Sequence, residues 1–169
     1  KFKGAVKIVH ESRLQGTAGT LRANRNFFQR DLILMAHADN FCKFDIDKFI
    51  DEHHKRPSDC VMTMMTFLSE TPESCGIVET DVDQRAIKFH EKVIDPPGNT
   101  ANAAVYLLEP EVLEWIVEKN AQDFSTEVIP EFIGRIYCWH NEDLNIDIGT
   151  LSQLIRANSL VGEFSSTPE

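Results

Sequence analysis

Residues 32–68 read LILMAHADNFCKFDIDKFIDEHHKRPSDCVMTMMTFL, and their pattern decides the fold class. LILMAHA, residues 32–38, is a continuous apolar run of the kind found in parallel strands covered on both faces. It stops abruptly at Asp39-Asn40. Asp45 suits the N-cap of a helix over residues 46–55, in which Ile46, Phe49 and Ile50 recur at helical spacing and which Pro57 closes. A second strand is predicted within residues 59–68. Strand, helix, strand in that order is a βαβ unit, which implies a parallel sheet faced by helices.

Working outward, residues 5–9 form a short β-rich run and residues 17–28 read as helical. Residues 76–80 and 86–93 are strands joined by the polar turn DVDQ, which suits a hairpin and makes the sheet mixed. A strand is predicted over 102–108. Pro110 opens a helix over 111–119. Residues 125–133 read as helix and 135–139 as strand. Thr150-Leu151-Ser152-Gln153 matches a capping box for a last helix to about residue 161. The class is therefore α/β, a Rossmann-like doubly wound mixed sheet. One domain is expected over residues 1–164, with 165–169 a frayed tail.

Composition narrows the function classes. A net charge of −10 argues against nonspecific nucleic-acid binding and against anionic membrane surfaces, both of which need basic patches. No apolar run is long enough to cross a membrane. The four cysteines form no CxxC pair, which fits reduced thiols in a cytoplasmic protein. His53 and His54 are expected to be solvated on a charged helix.

The residues with chemical content lie where strands end. In 89–106, FHEKVIDPPGNTANAAVY, alternation places Ile87, Phe89, Glu91 and Val93 on one strand face, with Lys88, His90 and Lys92 on the other. Glu91 is thus a carboxylate on an otherwise apolar face. It is either part of a site for a small polar or anionic ligand, or half of an exposed charge pair with Lys92. Asp39, at the carboxyl end of an apolar strand, either holds a divalent cation or caps the strand exit. Asp147, in NIDIGT, is flanked by inward-facing Ile146 and Ile148 and points to a cleft or to solvent. Two aspartates from separate loops would suit Mg²⁺. The glycine-rich LQGTAGTL either admits a ring or phosphate close to the backbone or is a plain tight turn; without a following GK[ST] it is not a Walker A loop. Asp45, Asp47 and Asp51 read as capping and solvating groups, and His37 as a satisfied core histidine.

LQGTAGTL, HADN, CGIVE, FHEKV, NTANAAVYLLEPEVL, FSTEVIP and NIDIGT follow one another in a fixed order. Together they resemble the sugar-1-phosphate nucleotidyltransferases, the nucleotide-sugar pyrophosphorylases, with most likeness to the mannose-1-phosphate guanylyltransferase-like branch. The resemblance spans residues 5–160. It implies that Gly16, Thr17, Ala18 and Gly19 lie against the nucleotide base. Asp39 and Asp147 would bind Mg²⁺. Gly76, Glu91 and Asn102 would contact the sugar, and Lys92 its phosphate. The implied substrates are a nucleoside triphosphate and a sugar 1-phosphate, GTP with a mannose or heptose being favoured. The products would be an NDP-sugar for polysaccharide biosynthesis and pyrophosphate, and a homo-oligomer is compatible with this.

Three departures qualify the likeness. The family's glycine before the metal aspartate is Ala38, the proline of its EKP motif is Val93, and its NAG has become Asn102-Ala103-Ala104. The family's opening GGxGTRL segment and PK pair, which grip the triphosphate, have no counterpart here. The expectation is a fragment, or a chain completed by another, that is inactive alone. A non-catalytic sugar-phosphate or nucleotide-binding module of the same fold is the alternative, with a metal-dependent glycosyltransferase the weaker third.

Overall fold

A computed structural model describes residues 6–28 and 30–164; the expected 165–169 tail lies outside the described residues. The order is α1 (Thr17–Ala23), β1 (Ile33–Ala36), β2 (Asn40–Cys42), α2 (Ile46–Lys55), β3 (Met62–Leu68), β4 (Gly76–Thr80), β5 (Ala86–Glu91), β6 (Thr100–Leu108), α3 (Pro110–Lys119), α4 (Ile129–Glu131), β7 (Ile136–His140), β8 (Asn145–Asp147) and α5 (Leu151–Phe164).

The main sheet runs β5-β4-β6-β3-β7, with β1 added to β6. β3 accompanies β6 from Thr100 to Leu108, so β4 and β1 share the opposite edge of β6: β4 meets it at Ala101, and β1 from Val105 to Leu108. The sheet is mixed, as the sequence implies, but β1 is not a directly parallel strand. β1 and β3 point the same way with antiparallel β6 between them, and β3 and β7 are parallel neighbours. The 32–38 run is also less enclosed than its composition predicts: Ile33 is buried, whereas Leu34 is 44% exposed. Its one ladder neighbour among the described residues is β6, so its other edge gains no strand cover.

Alternation along β3 and β6 feeds two cores. Met62, Met64, Tyr106 and Leu108 pack with Ala18, Val112, Ile116, Phe124 and Ile136 on one face. Met65, Val105 and Leu107 pack with Phe49 and Trp139 on the other, which α2 covers. Helices thus flank both faces, giving the doubly wound character.

Local chemistry explains the remaining boundaries. Asp45 caps α2, its Oδ1 accepting from the Lys48 N–H at 3.0 Å. Thr150 Oγ1 accepts from the Gln153 N–H at 3.3 Å, the forward half of the expected capping box. The predicted 17–28 helix ends at Ala23, because the Asn24 carboxamide donates to the Thr20 carbonyl at 2.9 Å and a 3-10 turn follows over Arg25–Phe27. The predicted 125–133 helix is a π turn over Phe124–Val128 and then the three-residue α4, where Pro130 lacks an N–H. Residues 6–9 carry no regular structure, contrary to the expected strand, and Val6 and Ile8 stay exposed without a ladder partner.

His53 also departs from expectation. It is fully buried, whereas His54 is exposed. Phe49 and His53 are one turn apart, so they share the inward face of α2. Arg56 and the His53 ring both reach the Glu109 carboxylate, with His53 Nε2 at 3.2 Å. Nε2 therefore donates, and Nδ1 accepts from the Thr63 hydroxyl at 2.7 Å. Burial first, and then the Arg56 charge, push the imidazole pKa down to about 4. The folded state thus binds this proton less readily than the unfolded chain, whose histidine titrates near ~6.5. Stability from this group is complete above that pH and lost as pH falls toward the folded value. We expect the urea midpoint to drop between pH 7 and pH 5, and the His53→Gln variant to show a smaller drop over the same interval.

Candidate functional site

The site begins with a two-stranded ribbon. β2 and β8 pair antiparallel, with Asn40 opposite Asp147, and the Ile148 N–H donates to the Asp39 carbonyl at 2.8 Å. Asp39 directly precedes β2 and Asp147 ends β8, so the ribbon delivers two exposed carboxylates, far apart in sequence, to one place. Asp147 Oδ1 accepts from the Gly149 N–H at 2.8 Å, which fixes its rotamer.

β5 supplies the opposite wall. Glu91 pairs with Gly76 across the β4–β5 ladder. A Cβ on Gly76 would lie 2.4 Å from Phe89 Cζ and 2.9 Å from Glu91 Oε2. Glycine at 76 therefore leaves room for the Glu91 carboxylate and the Phe89 ring to lie across β4. Burial raises the Glu91 pKa, with Lys92 working against it. Lys92 departs from the expected alternation: β5 ends at Glu91, and Lys92 sits at φ 49, with its N–H donating to the Cys75 carbonyl at 3.1 Å. That left-handed residue turns the chain, so Glu91 and Lys92 line the same cavity instead of opposite faces, and Val93 lies outside the strand. Lys92 Nζ stands 3.9 Å from Glu91 Oε1.

β6 forms the floor. Asn102 Nδ2 donates to the Tyr106 hydroxyl at 2.6 Å, and Asn102 Oδ1 accepts from the Ala104 N–H at 2.9 Å. Ala104 is held at φ 53 beside a register shift in the β3–β6 ladder. Asn102 thus supports the turn that shapes the floor as well as lining it.

These walls enclose a cavity of about 200 Å³ that brings together Asp39, Gly76, Glu91, Lys92, Asn102 and Asp147. The GTAG segment is not among its lining residues. The N–H groups of Ala18 and Gly19 donate to the Gln122 carbonyl at 3.0 and 3.2 Å, and a Cβ on Gly16, at φ 79, would lie 2.4 Å from that oxygen. The close approach that Gly16 permits is to the loop before the π turn. Sequence reasoning missed Asn40, Cys75, Ser125 and Asn145 in the cavity wall, although each sits within or beside a motif it had marked. It also misread His37: this residue lines the cavity, and its buried Nε2 has no hydrogen-bond partner among the described residues.

Asp39 and Asp147 offer hard oxygens, which fit Mg²⁺. Among the described residues no three His, Cys, Asp or Glu side chains group to hold a metal. Two carboxylates with the remaining positions left to water and substrate phosphate is the pattern expected of Mg²⁺ in phosphate chemistry. All four cysteines are free. Among the described residues no helix is long and apolar enough to cross a membrane.

A family model described as nucleotidyl transferase matches residues 1–163. The chain belongs to that family. Relatives include the glucose-1-phosphate adenylyltransferase of Thermotoga maritima, 29% identical over 163 residues, with 88% of this chain and 38% of the relative covered. The enzyme of the same name from Clostridium acetobutylicum is 25% identical, with 85% and 41% covered. The chain therefore spans about two fifths of the length of these curated relatives. A solved structure from Bacillus anthracis, provisionally named a glucose-1-phosphate thymidylyltransferase and determined with sucrose, superposes with a TM-score of 0.76 at 21% identity, covering 89% of this chain and 62% of that one. It has the same fold. The names belong to glucose-1-phosphate enzymes and not to the mannose branch expected from the motifs.

Two substitutions in this nucleotidyl transferase domain should move stability in opposite directions. Gly76→Ala must displace Phe89 and Glu91 and should destabilise by about 1–3 kcal/mol. Ala104→Gly relieves a left-handed alanine and should stabilise by about 0.5–1 kcal/mol, in spite of glycine's greater freedom when unfolded. Urea denaturation of both variants checks the pair.

Proposed function

We propose that the polypeptide carrying this chain joins a nucleoside triphosphate and a sugar 1-phosphate to give an NDP-sugar and pyrophosphate, and that residues 6–164 contribute the sugar-phosphate side of its site. The observation that carries this reading is the single cavity shared by Asp39, Gly76, Glu91, Lys92, Asn102 and Asp147.

In this reading Glu91 accepts from sugar hydroxyls beside Gly76 and Asn102. Lys92 holds the sugar phosphate as a point charge. A phosphate oxygen attacks the α-phosphorus in line; the bond to the bridging oxygen breaks, and pyrophosphate leaves with the electron pair. A phosphate monoester is already anionic near neutral pH, so no general base is needed and positioning and charge neutralisation carry the rate. Mg²⁺ on Asp39 and Asp147 would supply that neutralisation. Gly16, Thr17, Ala18 and Gly19 are assigned to the base by resemblance alone, and the Ala18 and Gly19 amides are occupied within the chain.

The finer identity has two arms. Overall likeness of the sequence favours GTP with a manno-configured sugar, whereas the relatives' names favour glucose 1-phosphate with ATP or dTTP. Pyrophosphate release from a panel of triphosphates and sugar 1-phosphates separates these arms. Release with no pair in the panel, with the fold intact, would leave the binding-module alternative. Asp147→Asn should lower turnover on the order of 10²–10³-fold while the circular dichroism spectrum is unchanged; undiminished turnover would remove the metal assignment.

A further inference from the structure

Among the described residues two buried side-chain polar atoms have no hydrogen-bond partner, His37 Nε2 and Gln153 Oε1. An unsatisfied buried polar atom in a native fold calls for an explanation, because it costs roughly 1–3 kcal/mol. His37 lines the cavity between Asp39, Asn40, Ala103 and Ala104. Its main chain is clamped: its N–H donates to the Ala104 carbonyl at 3.1 Å, and its own carbonyl accepts from the Asn40 N–H at 3.4 Å. The imidazole is therefore carried on a fixed backbone at the end of β1.

We infer that His37 is a substrate-binding group whose ring turns on its fixed backbone to offer Nε2, closed off in the ligand-free fold, to a hydroxyl of the sugar held in this cavity, an inference that rests on the sugar-phosphate reading above. The choice of a hydroxyl follows from hydrogen-bond chemistry. No hydrogen bond to the described residues fixes the tautomer of the ring. A hydroxyl both donates and accepts, so it satisfies Nε2 in either tautomer, whereas a phosphate oxygen satisfies it only when Nε2 bears the proton. Asp39, Glu91 and Asp147 line the same cavity, and Lys92 is its one lysine or arginine. The phosphate has its cation in Lys92, which leaves the imidazole for a neutral group. A buried donor–acceptor left unpaired by the wrong ligand discriminates strongly, so His37 acts as a specificity determinant for the sugar.

The test uses the 169-residue chain with ¹⁵N-labelled histidine and backbone, titrated with glucose 1-phosphate, mannose 1-phosphate and orthophosphate. At least one hexose 1-phosphate should shift the His37 ring nitrogens together with the Gly76 and Lys92 amides, whereas orthophosphate should shift Lys92 and leave the ring in place. His37→Phe should weaken the hexose 1-phosphate about tenfold, keep orthophosphate affinity and melt at the same or a higher temperature, because it removes an unsatisfied buried atom. His37→Asn, which still donates and accepts, should bind within about threefold of the parent. Movement of Gly76 and Lys92 with a silent His37 ring, or equal loss of orthophosphate binding in His37→Phe, overturns this inference and spares the sugar-phosphate reading. A spectrum unmoved by every ligand overturns both.

Discussion

The site depends on one change of partner along β6. At Ala101 this strand pairs with β4; from Val105 onward the same edge pairs with β1. The chain makes the exchange through Ala103 and left-handed Ala104, whose amide is held by the Asn102 side chain. Two carbonyls freed for other work anchor the neighbouring segment: that of Ala103 accepts from Asn40 Nδ2 at 3.0 Å, and that of Ala104 from the His37 N–H. Asp39 lies between those two anchors, and Gly76 opens β4 beside the other half of the switch. The segments at 37–40, 76 and 101–105 thus converge because one strand serves two neighbours in turn.

The fold class and the order of most elements were legible in the sequence from period and caps, and six of the residues that line the cavity from strand ends and the family resemblance of the motifs. What was not legible depends on contacts distant in the chain. The 32–38 run has the composition of an enclosed strand, and no local pattern reveals that β6 will be its antiparallel neighbour. Strict alternation set Lys92 against Glu91; only a positive φ, which favours glycine but occurs here at a lysine, reverses that. His53 stood among charges in the sequence, yet helical spacing from Phe49 carries it inward, where Glu109 and Thr63 complete its hydrogen bonds. The GTAG glycine could not declare which group comes close to it, and in the fold that group is the Gln122 carbonyl.

On the proposed function, an acidic chain takes anionic substrates, which requires its field to be reversed locally. With a net charge of −10 and three carboxylates around the cavity, phosphate would be repelled from an unassisted site. Lys92 is the local exception, and its turn at the end of β5 is what brings it to the cavity. In the same reading, two carboxylates that suit a divalent cation would supply the other means: a bound metal would convert the same acidic groups from a repulsive wall into the support for an attractive charge.

The distribution of local cost separates this cavity from the rest of the molecule. Away from it, His53 has both ring nitrogens engaged and Asn141 reaches the Lys43 carbonyl, with Gln153 Oε1 the one unpaired buried side-chain atom among the described residues. Around it stand a left-handed alanine, a left-handed lysine, a carboxylate whose pKa burial raises, and an imidazole nitrogen with no partner among the described residues. Each is unfavourable for folding taken alone. A chain tuned for stability would place glycine at 104 and an apolar group at 37. Left-handed Arg30, Gln84 and Asn120 lie elsewhere in the fold, but at this cavity two such residues meet an unpaired imidazole nitrogen and a half-buried carboxylate, a combination expected of a site shaped for a ligand. On the proposed reading, a ligand that supplies the missing hydrogen bonds and charge would offset the unfavourable terms, so that binding energy and folding energy meet at the same few atoms.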